Sequence, residues 1–218
     1  MRQSFYLCEN LAVNATDVPD LSGVTDMGLM FGSARNFNTD FSTWDVSNVT
    51  DMSGLFASAV LFNQDIGSWN VSSVENMSSM FQTASAFNQA ISSWVVSAVT
   101  DMSSMFFAAS VYNQNIGGWN VGLVNDMRSM FEEATSFNQD ITSWNVTTVT
   151  DMSEMFSDAT AFNQGIVIWD ASVVGNMRSM FQAASLFNQD ISGWVVASET
   201  KMDDMFSYAN SFDQNIGA

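Results

Sequence analysis

The sequence is poor in the residues on which most catalytic and metal sites depend. It contains no histidine, and so it lacks the commonest general base and metal ligand. Cys8 is the single cysteine, which excludes an internal disulfide framework and a cysteine-based zinc site. No nucleophile elbow, phosphate-binding loop or pair of carboxylates with distinct surroundings is present either. We therefore expect no enzymatic activity and no cofactor, and no residue is predicted to be catalytic, cofactor-binding or metal-binding.

Positive charge is equally scarce. Five basic residues stand against 23 acidic ones, which gives a formal net charge of -18; the basic residues are Arg2, Arg35, Arg128, Arg178 and Lys201. Such a chain repels phosphate backbones and anionic membranes, so we expect no nucleic-acid partner. No apolar run approaches the ~20 residues needed to cross a bilayer, so we also expect no membrane span.

The first ten residues, MRQSFYLCEN, contain an apolar stretch that is too short for the hydrophobic region of a secretion signal. At the other end, Ala218 is the position just before the next tryptophan of the series described below. We therefore expect the array to be cut within a repeat, and any export signal to lie outside this sequence.

What the sequence does contain is a repeat of 25 residues. The tryptophans number seven and are spaced 25 apart: Trp44, Trp69, Trp94, Trp119, Trp144, Trp169 and Trp194. We call the residues that occupy the same place in successive repeats a column; methionine and phenylalanine form further columns, beginning at Met27 and Phe31. A fixed period of this length predicts one stacked array, and 47% hydrophobic residues suffice for a continuous core.

Each repeat has two halves with different patterns. In the first half Met52, Leu55, Phe56 and Ala59 have the i, i+3, i+4, i+7 spacing of a short amphipathic helix. The residue before this quartet is Asp or Asn in every repeat except at Lys201, which suggests a helix N-cap.

The second half is rich in isoleucine, tryptophan and valine, which predicts a short strand near Ile141 to Val149 after an Asn-Gln turn. We therefore expect an α/β repeat solenoid, leucine-rich-repeat-like, with one short parallel strand and one short helix per 25-residue coil. Residues 21–218 would form a single solenoid of about eight repeats. Residues 1–20 would form a divergent N-terminal cap or docking segment, because Phe5, Leu11 and Val13 match no column and Pro19 occupies the tryptophan position.

The sequence VTDMSEMF at 149–156 and the sequence FNQDISGW at 187–194 resemble the mycoplasma-type lipoprotein repeat, which is related to BspA-like leucine-rich repeats. The resemblance covers roughly residues 21–216. It implies a leucine-rich-repeat-like fold, and it implies a cell-surface or extracellular location with adhesion as the proposed role. It implies no catalytic residues.

The polar columns have alternative interpretations. The unbroken asparagine column from Asn38 to Asn188 predicts buried amides bonded to turn backbone, an asparagine ladder. The acidic column at Asp40 lacks a carboxylate in half its members, which favours a solvated acidic edge over calcium ligation. The tryptophan column could stack sugars, but its equal spacing favours core packing.

Three functional hypotheses remain. The first is a recognition or adhesion module that binds protein or glycan through its extended face, with variable exposed columns that include Asp45, Asn70, Val95 and Val195. The second is a structural subunit whose copies assemble end to end into filaments. The third is a fold stabilised by calcium.

Overall fold

The computed structural model describes residues 1–11 and 17–216, and in these residues the chain forms a stack of turn-rich coils. Successive coils touch through isolated parallel β-bridges between residues 25 positions apart. The bridging residues are Asp26, Asp51, Asn76, Asp101, Asp126, Asp151, Asn176 and Lys201. We define a coil as the residues from one bridging residue to the next, so complete coils begin at Asp26 through Asn176 and a last one begins at Lys201.

The predicted α/β solenoid is wrong. Within the described ranges there is no helix, and no strand extends beyond a single bridging residue. The predicted helices are replaced by consecutive tight turns, here called turn ladders; they comprise residues 27–34, 52–59, 77–84, 102–109, 127–134, 152–159, 177–184 and 202–209.

A turn ladder divides its amide groups between two kinds of partner. The amide N–H groups of Met52 and Phe56 donate to the next coil, at 3.0 Å and 2.9 Å from its carbonyl oxygens. The intervening amide of Leu55 donates back to the carbonyl of Met52 at 3.1 Å, which closes a turn. A helix keeps every such bond within the segment, so it would leave no donor for the neighbouring coil. The quartet spacing fits either arrangement, because its members face the core in both.

The turn ladder requires a left-handed backbone at its third and seventh residues. In one coil these residues are Gly54 and Ser58, with φ values of 60° and 59°. In the other coils both places are taken by residues with a side chain, such as Ala108 (φ 52°) and Glu154 (φ 59°). Each such residue costs on the order of 1 kcal/mol. The bonds between coils offset this cost, because each contributes roughly 0.5–1.5 kcal/mol.

The predicted strand near Ile141 is also replaced by turns. The amide of Trp144 donates to the carbonyl of Ile141 at 3.1 Å, and the amide of Val149 donates to that of Val146 at 3.0 Å. The Asp140 carboxylate accepts the amide of Thr142 at 2.9 Å, which starts the first of these turns. The three-residue spacing from Ile141 to Trp144 and from Val146 to Val149 therefore marks two turns of the coil and not an extended strand.

The core consists of side chains stacked in register from coil to coil. Phe56 and Phe62 lie face to face with ring centroids 4.0 Å apart, and Phe56 stacks on Phe81 of the next coil at 5.7 Å. The indole N–H of Trp94 donates to the carbonyl of Ile66 in the preceding coil at 3.1 Å. Tryptophan is buried in every complete coil except the first and the last of them, where Trp44 and Trp194 are half-buried, so the core interpretation of this column is confirmed.

Residues 1–11 continue the stack at its first end. The amides of Gln3, Phe5 and Leu7 donate to carbonyls of the first complete coil at 2.9–3.0 Å. The ring of Phe5 stacks on Phe31 with centroids 5.7 Å apart. These two phenylalanines are 26 residues apart instead of 25, which is why Phe5 matched no column in the sequence. Residues 12–16 of the predicted cap, Val13 among them, lie outside the described residues, as do residues 217–218.

Candidate functional site

The asparagine column forms the predicted ladder. The side-chain carbonyl of Asn63 accepts the backbone amide of Asn88 at 2.9 Å and the side-chain amide of Gln89 at 3.0 Å, both from the next coil. The same pair of bonds recurs along the stack. The ladder is therefore confirmed, but the prediction that its side chains are buried is wrong, since they are half-buried or exposed. The side-chain oxygen of each asparagine therefore joins neighbouring coils.

The column of bridging residues does not cap helices, contrary to the prediction. The carboxylate of Asp51 accepts the amide of Ser53 at 2.8 Å and so begins the turn ladder. In the middle of the stack Asp101, Asp126 and Asp151 bridge in succession. Burial raises the pKa of Asp126 and the two neighbouring carboxylates add to this shift, against the amide and charge of Arg128. This column is therefore a line of partly buried charge, held in place by the turns that it starts.

Asp151 has the opposite shift from Asp126. Burial would raise its pKa, but hydrogen bonds from the hydroxyl and amide of Ser153, the amide of Asn176 and the charge of Arg128 lower it. Asn176 donates to this carboxylate at 3.0 Å. The ionised state of Asp151 is thus stabilised in part by the asparagine of the next coil.

The exposed acidic residues also have a structural role. The pKa of Asp140 is lowered by hydrogen bonds from the hydroxyl and amide of Thr142, and Asp170 and Asp190 are lowered in the same way by the serines two residues later. Each carboxylate therefore stabilises its own turn. No group of three or more carboxylate, thiol or imidazole side chains in the described part of the chain could hold a metal ion.

One segment of each coil, between the tryptophan turn and the valine turn, has exposed positions whose residue types vary from coil to coil. We call the exposed residues of this segment the Trp–Val surface; they lie within residues 42–48, 67–73, 92–98, 117–123, 142–148, 167–173 and 192–198. Large apolar side chains are exposed on it: Val95 (55%), Leu123 (57%), Ile168 (68%), Val173 (50%) and Val195 (66%). The columns that hold these residues are otherwise occupied mainly by Asp, Asn, Ser, Thr, Gly and Ala.

The predicted variable positions Asp45, Asn70, Val95 and Val195 are all exposed on this surface. Sequence reasoning missed Leu123, Ile168 and Val173 as candidates. The signal for them was available, because each is a large apolar residue in a column that is otherwise composed of small or polar residues.

Two of these exposed apolar residues, Ile168 and Val195, meet in a shallow depression between two coils. Its lining includes Val167, Ile168, Asp170, Gly193 and Val195. A Cβ atom added at Gly193 would lie 2.8 Å from the carbonyl oxygen of Val167, so glycine allows the two coils to approach closely here. The depression thus combines an apolar wall with the carboxylate of Asp170, whose pKa is lowered by hydrogen bonds from Ser172.

Two further depressions lie at the first and last coils. The first is lined by Phe5, Met30, Phe41 and Trp44, among others. The second is lined by side chains that include Met177, Ile191, Trp194, Met202 and Phe206. Both expose side chains that are buried in the interior coils.

No helix long and apolar enough to cross a membrane occurs in the described part of the chain. A search of curated proteins gives no match. A family model described as "Mycoplasma protein of unknown function, DUF285" matches twice, over residues 1–119 and 107–218. The two matches cover the whole array, including the first residues that match no column at a spacing of 25. The chain therefore belongs to this family of repeat proteins.

Proposed function

We propose that the chain is a recognition or adhesion module that binds a protein or a glycan through its Trp–Val surface. The observation that carries this proposal is the exposure of large apolar side chains on that surface, at places where the repeat otherwise has small or polar residues. Exposed apolar side chains that meet, as those of Ile168 and Val195 do, commonly mark a partner site in soluble proteins.

The architecture suits this role because the repeating columns and the variable columns have separate tasks. Phenylalanine, methionine and tryptophan form the core, and the asparagine ladder joins the coils. Substitution on the Trp–Val surface therefore changes what is presented without changing the support. Adjacent coils at roughly 4.8 Å spacing give a regular, extended surface.

The charge of the surface restricts the partner. Asp45 and Asp170 are exposed on it, and hydrogen bonds from the following serines lower the pKa of both. A partner with a neutral or basic contact region fits these carboxylates and the overall charge of -18, whereas an anionic partner is repelled.

A cell-surface or extracellular location is part of the same proposal. The support for it is the resemblance of the repeat to the mycoplasma-type lipoprotein repeat and to BspA-like repeat proteins. The resemblance implies no catalytic residue. A row of similar coils has many equivalent positions, whereas catalysis needs one site that differs from the rest, so a binding role suits the repeat better than an enzymatic one.

The experiment is a binding screen with matched variants. The purified chain is applied to a glycan array and to immobilised extracellular-matrix proteins, and each partner found is titrated by biolayer interferometry. The combined substitution Val95→Ser, Ile168→Ser and Val195→Ser should weaken binding by at least about tenfold. The control is Leu61→Ser with Leu186→Ser, which changes exposed leucines of a different column.

The control should bind as the wild type does, and all proteins should have the same near-ultraviolet circular dichroism. Equal affinity of the triple variant and the wild type would locate binding elsewhere. A chain that binds nothing in either screen would contradict a recognition role.

A further inference from the structure

The depression at Ile168 contains a backbone carbonyl that lacks the hydroxyl donor found in other coils. In three coils the serine just before the tryptophan donates its hydroxyl to a carbonyl of the preceding coil; these serines are Ser68, Ser93 and Ser143, at 3.4 Å, 2.7 Å and 2.9 Å. Glycine takes this place at Gly193, where the corresponding carbonyl is that of Val167. No described residue donates to the Val167 carbonyl, so this acceptor is open to a ligand.

The carboxylate of Asp170 lines the same depression. It accepts the amide of Ser172 at 3.0 Å, and the hydrogen bonds from Ser172 hold its pKa below the ordinary range of a carboxyl group. The ion pairs among the described residues use other carboxylates. The depression therefore contains an ionised carboxylate that has no basic partner, beside a carbonyl that has no donor.

The remaining side chains of the lining form an apolar wall and offer no unused donor. Ile168 and Val195 are exposed, and Val95, which lies in the same column as Val195 inside the stack, is exposed as well. The indole N–H of Trp169 donates to the carbonyl of Ile141 at 3.4 Å. A ligand that fits this depression must therefore bring its own donors, a positive charge and an apolar part.

Asp45 shows that the carboxylate alone does not produce this arrangement. It occupies the column of Asp170 in an earlier coil. There the next coil supplies Ser68 and Asn70 where the depression has glycine and valine. The hydroxyl of Ser68 also occupies the backbone carbonyl of that place. The open carbonyl, the apolar wall and the carboxylate come together at Asp170 and not at Asp45.

We propose that this depression binds a lysine or arginine side chain of a partner protein. The charged group would bond to the carboxylate of Asp170 and the carbonyl of Val167, and the aliphatic stem would lie against Ile168 and Val195. Both side chains combine several N–H donors on a cation with an apolar stem, which packs on apolar surface while the charge stays in a polar environment. The inference rests on the proposed function and specifies the partner of that same surface.

A protein partner fits this depression better than a neutral glycan. Glycan hydroxyl groups carry no positive charge to pair with Asp170, and the aromatic ring of the lining, that of Trp169, is 2% exposed and offers no face on which a sugar could stack. No lysine or arginine occurs in the segments that form the Trp–Val surface. The formal charge of -18 favours the approach of a basic region at long range.

The test is a titration of the isotope-labelled chain, followed by the amide chemical shifts. The probes are the peptide acetyl-Leu-Lys-Leu-Lys-Leu-amide, the same peptide with glutamine in place of lysine, and the neutral glycan chitohexaose. Asp170→Asn removes the charge but keeps an oxygen for the amide of Ser172. The matched control is Asp140→Asn, which removes the same charge from an exposed turn aspartate outside the Trp–Val surface.

We expect the lysine peptide to shift the amide resonances of Ile168, Gly193 and Val195. The glutamine peptide should bind at least about tenfold more weakly, and Asp170→Asn should weaken the lysine peptide by a similar factor, because each change removes a charge-assisted hydrogen bond. Asp140→Asn should change the affinity by less than about twofold, since a distant exposed charge acts only through screened solvent. Near-ultraviolet circular dichroism verifies that both variants are folded.

Three results would overturn the proposal. Equal binding of the lysine and glutamine peptides would show that no cation is recognised. Equal weakening by Asp140→Asn and Asp170→Asn would show attraction by the overall charge alone. Shifts at Ile168 and Val195 with chitohexaose but not with the lysine peptide would assign the depression to a glycan.

The binding screen described above separates this inference from the proposed function. A partner that the triple variant loses and Asp170→Asn retains would leave the Trp–Val surface as the binding surface and overturn the lysine or arginine assignment alone. A chain that captures nothing in the screen would overturn the proposed function, and with it the partner assigned here.

Discussion

Replacing Tyr112 with phenylalanine should stabilise the stack. Tyr112 is the only tyrosine in a column of phenylalanines, between Phe87 and Phe137, and it is fully buried. Its ring stacks on Phe106 at 4.1 Å, as the phenylalanines of this column do in their own coils. Its hydroxyl oxygen, however, is buried with no hydrogen-bond partner. The substitution removes this oxygen and leaves the ring contacts in place.

The expected gain follows from the cost of an unpaired buried hydroxyl. Leaving such a group without a partner costs about 1–3 kcal/mol, and the free energy of unfolding should rise by this amount. In a chain of this length each kcal/mol corresponds to about 2–4 °C in Tm. Phe137→Tyr is the reciprocal control: it places a second hydroxyl in the same column and should lower the free energy of unfolding by a similar amount.

The assay is urea denaturation followed by tryptophan fluorescence, repeated at several pH values. Burial raises the pKa of Tyr112 well above that of a free phenol. In the unfolded chain this phenol ionises near pH ~10, whereas in the folded chain it stays neutral. Below pH ~10 the phenol is neutral in both states and its ionisation does not affect stability. As the pH rises above ~10 toward the folded pKa, ionisation lowers the free energy of the unfolded chain alone, so the free energy of unfolding falls. The wild type should therefore lose stability above pH ~10 relative to Tyr112→Phe.

Two results would refute this reasoning. If Tyr112→Phe is no more stable than the wild type at pH 7, the hydroxyl is satisfied and the supposed cost is absent. If the difference between the two proteins does not grow above pH ~10, the phenol is not buried in the folded state.

Three further substitutions test other parts of the architecture. Ala108→Gly should raise Tm, because Ala108 has a φ of 52° and glycine adopts this left-handed conformation without strain. Ala57→Gly should lower Tm, because Ala57 is not among the left-handed residues. Equal effects of the two substitutions would contradict the turn-ladder geometry. Asp126→Asn keeps the acceptor for the amide of Arg128 and removes a carboxylate whose pKa is raised by burial, so the free energy of unfolding should rise at pH 7. The gain should disappear at acidic pH, where the carboxyl group of the wild type is protonated. A gain that persists in acid would exclude this cause. Asn88→Ala removes the acceptor for two bonds from the next coil and should cost on the order of 2 kcal/mol in urea denaturation, and a neutral result would show that the ladder does not hold the coils together.

The turn ladder shows why the helix prediction failed. Met52, Leu55, Phe56 and Ala59 face the core, and their spacing predicts this correctly. The spacing does not indicate where the amides donate, because that depends on a neighbouring coil 25 residues away. Here the carbonyls of the next coil take half of the donors, and the backbone adopts left-handed residues such as Ser58 that a helix does not allow.

The leading segment shows a different limit. Phe5 stacks on Phe31 as a regular member of the aromatic column, but one additional residue in the connection removes it from the 25-residue count. A search for a strict period cannot detect such a shift. The contact itself reveals it, since the hydrogen bonds of Gln3, Phe5 and Leu7 set the register.

For the candidate surface, the sequence identified Val95 and Val195 as members of a variable exposed column, and it could have identified Ile168 as a large apolar residue among small and polar ones. It could not bring Ile168, Asp170 and Val195 together in one depression, which depends on how closely two coils approach at Gly193.

The sequence by itself determined the period, the core columns and the asparagine ladder. Each of these needs only a repeated residue type at a repeated place, as in the tryptophan series that begins at Trp44. Only the tertiary structure decided the path of the backbone and the register of residues 1–11 on the first complete coil. Hydrogen bonds between coils fix both, and a bond to a residue in the next coil leaves no trace in local spacing.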